Sequence, residues 1–97
     1  MLSEFNPREL IRGFIWCAVK HTGTRVYEVF IDREEASDGY LVVKVSAGMH
    51  YLPSITPGQA IEEVEKFIGH YKLVEAEIEQ EVSRGGITVT FRFELII

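Results

Sequence analysis

The chain has 97 residues, 46% of them hydrophobic and 26% charged, with a formal net charge of −5 and one cysteine. This composition fits a single globular domain over residues 1–97, able to bury roughly two-thirds of the surface its unfolded chain exposes. It speaks against an internal disulfide or a C-x-x-C metal knuckle, against a bilayer-spanning run, since the longest apolar stretch is only Phe14 to Val19, and against a nucleic-acid binder that works by neutralising phosphates.

The opening MLSEFNPREL has no basic region followed by an apolar run, so it does not read as a signal peptide. Together with the lone Cys17 this points to a reducing, cytoplasmic setting. Side-chain amides are confined to Asn6, Gln59 and Gln80, a scarcity shared with heat-adapted proteins. The first helix starts at Asn6-Pro7-Arg8-Glu9, where Asn6 caps, Pro7 suits the first helical position and Glu9 sits as in a capping box. It runs to about His21 and stops at Gly23. Leu10, Ile11, Phe14, Ile15, Cys17, Ala18 and Val19 form its apolar side. Trp16 falls on the polar side, between Arg12 and Lys20.

Thr24 to Asp32 and Tyr40 to Ala47 read as two strands joined by the acidic turn REEASDG. Tyr27, Val29 and Ile31 on one strand and Leu41, Val43 and Val45 on the other are expected to share the buried face. The matching register sets Glu28 opposite Lys44 and Phe30 opposite Val42. Thr56-Pro57-Gly58-Gln59 starts the second helix, followed at helical spacing by Ala60, Ile61, Val64, Phe67, Ile68 and Tyr71. Leu73 to Val82 alternates, with Val74, Ala76, Ile78 and Val82 inward and Glu75, Glu77, Glu79 and Glu81 outward. Ser83-Arg84-Gly85-Gly86 turns the chain. In Ile87 to Ile97, Val89, Phe91, Phe93 and Leu95 point inward, and Arg92 is expected opposite Glu77 or Glu79.

The order is αββαββ. Two amphipathic helices and four amphipathic strands predict an α+β, two-layer sandwich with both helices on one face of a four-stranded antiparallel sheet. A right-handed crossover through the second helix makes strands 2 and 3 run parallel. The strongly apolar strand 4 then slots between them, giving the strand order 3-4-2-1. That is the ferredoxin-like sheet with its first strand moved to the C-terminus. The resemblance is one of topology alone and implies no function.

This layout gathers His21 to Arg25, Ser46 to Thr56 and Ser83 to Gly86 at one end. A small-anion site for phosphate or carboxylate is expected there, from Arg25, His50, Ser54, Thr56, Gly58 and Arg84 beside the N-terminus of the second helix. A Cys17/His21/His50 metal site lacks a second close-spaced ligand pair, and Cys17 reads as a small core residue. No G-x-S-x-G, P-loop, H-E-x-x-H or dinucleotide-binding glycine run occurs. The leading expectation is a non-enzymatic module without cofactor or metal, acting as a homodimer or with a protein partner. Its contact surface would be Trp16 and the lopsided apolar patch Val26, Phe30, Tyr40 and Val42.

Overall fold

A computed structural model describes residues 6–22, 28–35, 40–48, 55–81 and 86–95, with the backbone only for 28–35 and 81. The elements run α1 (Pro7–His21), β1 (Glu28–Glu35), β2 (Tyr40–Gly48), α2 (Pro57–Glu65), β3 (Tyr71–Glu81) and β4 (Gly86–Leu95). Three antiparallel pairings join the strands into one sheet of order β1-β2-β4-β3.

Both helices begin where local chemistry places them. Asn6 Oδ1 accepts the Arg8 backbone N–H at 2.9 Å, and Pro7 opens α1. A reciprocal capping box opens α2: Thr56 Oγ1 accepts the Gln59 N–H at 3.1 Å, and Gln59 Oε1 accepts the Thr56 N–H at 3.0 Å. Each box member satisfies a donor that the first helical turn leaves unpaired. At the other end of α1, the Thr22 hydroxyl donates to Val19 O at 2.7 Å.

The core lies between the helices and one face of the sheet. Ile11, Ile15, Ala18 and Val19 of α1 and Ala60, Ile61 and Val64 of α2 are buried with Leu41, Val43, Val45, Ala47, Leu73, Ile87, Val89, Phe91 and Phe93. Phe14 meets Phe91 edge-on at 6.3 Å, and Phe93 lies 5.8 Å from Phe67 and 6.5 Å from Tyr71. Each such aromatic pair adds about 1 kcal/mol beyond the area it buries. α1 packs on β4, β3 and β2, while α2 touches β1. Arg8 Nη1 binds Glu65 Oε2 and Arg12 Nη2 lies 3.9 Å from Glu65 Oε1, so one carboxylate ties the two helices together.

The expected fold is corrected in four respects, and the description retained is α+β. First, β1 reaches further toward the C-terminus than expected: Arg33, Glu34 and Glu35 belong to the strand and not to the turn, while residues 24–27 of the expected strand lie outside the described residues. The hairpin therefore closes closer to its tip, and the register moves with it. Phe30 pairs with Ser46, Glu34 with Val42, Asp32 with Lys44 and Glu28 with Gly48. Second, α2 ends at Glu65, short of the helical pattern that continues to Tyr71. Phe67, Ile68 and His70 donate instead to carbonyls three residues back, at 3.1–3.2 Å. These tighter turns pass through Gly69-His70, poor helix formers, and still bring Phe67, Ile68 and Tyr71 onto the core.

Third, β3 carries a bulge between Leu73 and Glu75. The extra residue, Val74, is exposed, and Leu73 takes the inward place expected of it. Past the bulge Arg92 pairs with Glu75, and its guanidinium lies 3.6 Å from that carboxylate. Fourth, Leu95, the last described residue of β4, is exposed and not inward, and residues 96 and 97 lie outside the described residues.

Candidate functional site

One part of the described surface that departs from an ordinary solvated face is where α1 lies over β3. Leu10, Gly13, Phe14 and Cys17 on α1 and Ile78 on β3, with Glu9, line an open apolar groove of about 320 Å³. That volume is at the small end of ligand pockets, enough for a few side chains. Its origin is positional. Residues 10, 14 and 17 sit on the flank of α1 facing β3, a quarter-turn from the buried Ile11 and Ile15. Among the described residues the sheet has no strand beyond β3 and no side chain completes the cover over Ile78, which is 42% exposed.

Gly13 forms part of this wall. A Cβ built there would have no atom within 4 Å. A glycine in mid-helix costs about 1 kcal/mol against alanine, and no close packing requires it. Trp16 stands one turn further along α1 and is 47% exposed. Cys17 is half-buried on the groove wall and not in the core.

The opposite side of β3 is acidic. Glu75, Glu77 and Glu79 are exposed, paired in register with Arg92, Thr90 and Thr88. Arg92 is the one cation within salt-bridge distance of this row among the described residues, and it also lies 5.6 Å from the centre of the Tyr40 ring. Tyr40 and Val42 are half-buried on this face. Toward its other end, Ser46 and Thr88 share a 3.1 Å hydrogen bond and are 8% and 7% exposed.

Of the residues expected to form an anion site, Arg25, His50, Ser54 and Arg84 lie outside the described residues. Thr56 and Gly58 are described and exposed. The Thr56 hydroxyl accepts from Gln59 within the capping box, and Pro57 supplies no N–H. Of the expected contact surface, Val26 lies outside the described residues and Phe30 is placed by its backbone alone. The β1–β2 register places Ser46, the partner of Phe30, four residue steps along β2 from Val42. At about 3.3 Å per residue, Phe30 and Val42 are therefore separated along the strands by roughly 13 Å.

Sequence reasoning did not single out Ile78, which alternation alone assigns to the core. The available signal was the strand order itself, which makes β3 an edge and leaves its inward residues covered from one side. Among the described residues, no cluster of three or more His, Cys, Asp or Glu side chains is placed to hold a metal ion. Nor is any described helix long and apolar enough to cross a membrane. No family model matches the chain, and no match is found among curated proteins or solved structures. The likeness to a permuted ferredoxin-like fold is accordingly not carried further.

Proposed function

We propose that the protein is a small non-enzymatic module, acting in the cytoplasm, that binds a protein partner through the face formed by α1 and the outer edge of β3. The observation that carries this reading is the apolar groove, with Ile78 and Trp16 exposed on the strand and helix that border it. Exposed tryptophan and large aliphatic side chains around an apolar concavity are what protein interfaces place at their centres. Gly13 supports the same reading, because it keeps the groove open at a cost to the helix. Self-association through Phe30, Tyr40 and Val42 has less support, given the register that spreads them apart.

The test is selection from an unbiased displayed peptide library, followed by amide chemical-shift mapping of the winners. Selected peptides are expected to shift residues 10–17 and 75–80, and to lose at least tenfold in affinity on Ile78→Asp. Failure to select any binder, or shifts confined to another face, would overturn the reading.

A further inference from the structure

This inference rests on the proposed role of the α1–β3 face and names the kind of partner that fits it. β3 is the last strand of the sheet, and its outer backbone edge has no strand partner among the described residues. Past the Val74 bulge, residues 75–81 continue in unbroken register with β4. That leaves a regular edge of roughly 20 Å against which another strand can hydrogen-bond.

The two sides of this edge are chemically different. On the helix side stand Ala76 and Ile78, with the groove walled by Leu10, Gly13, Phe14 and Cys17 beside them. On the other side stand Glu75, Glu77 and Glu79. Glu75 has Arg92 at 3.6 Å, whereas Glu77 and Glu79 have no basic partner among the described residues. A strand laid along β3 sends successive side chains to opposite faces. One set enters the groove, and the alternate set lies beside the glutamates, where opposite charges are favourable neighbours.

We propose that the β3 edge takes up an extended protein segment in which apolar and basic residues alternate, adding it as a further strand of the sheet. A second copy of the chain is the wrong occupant. β3 against β3 would set one glutamate row beside another, the arrangement by which edge strands resist self-pairing. A helical partner would use the groove and leave the glutamates unanswered.

Three synthetic peptides test this: one alternating valine and lysine, one of the same composition with the alternation scrambled, and one alternating valine and glutamate. Binding is read from amide shifts and from the fluorescence of Trp16, the sole tryptophan. The alternating basic peptide is expected to bind along residues 75–81 and to perturb Gly13 and Cys17. The other two are expected to bind at least tenfold more weakly. The double variant Glu77→Lys/Glu79→Lys, confined to exposed positions, is expected to lower affinity for the basic peptide at least tenfold and to raise it for the acidic one.

Equal binding by the scrambled peptide, indifference to the charge reversal, or a concentration-dependent dimer that the double variant dissolves would each overturn the proposal. Library peptides that occupy this face as helices or as uncharged segments would overturn strand addition while leaving the recognition reading intact. Absence of any peptide binding would overturn both.

Discussion

Gly13 is the residue whose presence folding explains least. Its neighbours Arg12 and Phe14 are helix residues in good register, its own Cβ position is vacant space, and α1 continues through it to His21. Gly13→Ala is therefore expected to stabilise the protein by about 1 kcal/mol, the difference in helix propensity. A rise of several degrees in midpoint temperature would register it, given the unfolding entropy of a domain this size. A loss of stability would mean that the position is crowded and that the groove is closed in solution. The same chemistry explains which residues could be read correctly without coordinates. Asn6-Pro7 and Thr56-Pro57 announce helix starts because a cap is a contact between neighbours in sequence. The exposure of Ile78 could not be read that way, since it depends on what lies beyond β3 in space.

At the scale of elements, the bulge in β3 gives the most specific prediction. Leu73 points to the core, Val74 is extruded and Glu75 points away, so the alternation on either side is regular once Val74 is removed. Deleting Val74 is expected to keep the sheet and change stability by less than about 1 kcal/mol. Deleting Ala76 puts every later residue of the strand on the wrong face or forces a new bulge, and is expected to cost more than about 2 kcal/mol. Urea unfolding of the two deletions side by side decides the matter, and equal costs would contradict the assigned pairing. Sequence reading failed here for a definite reason. In the run Leu73-Val74, either residue satisfies an apolar inward position, and only the partner strand chooses between them. The β1–β2 register failed similarly, because Arg33-Glu34-Glu35 have the composition of a turn yet pair with Leu41, Val42 and Val43. The end of α2 was hidden by Phe67, Ile68 and Tyr71. They keep helical spacing and reach the core through tighter turns. The strongly alternating β4 was legible, since Val89, Phe91 and Phe93 lie against both helical and sheet neighbours in the middle of the fold.

For the molecule as a whole, two helices pack on one face of the sheet, and among the described residues the β3 edge, beside an apolar groove, has no strand partner. The net charge of −5 makes copies of the chain repel one another, and the glutamates of β3 place part of that charge on the strand edge itself. Repulsion between copies and attraction for a basic strand are thus the same feature seen from two sides. The measurement that tests this most directly is amide hydrogen exchange along β3, taken with and without the alternating valine–lysine peptide. Amides of residues 75–81 that do not donate to β4 are expected to exchange rapidly in the free protein and to gain at least tenfold protection when the peptide is bound. Binding without protection of those amides would contradict the account, because no strand would have formed on the edge.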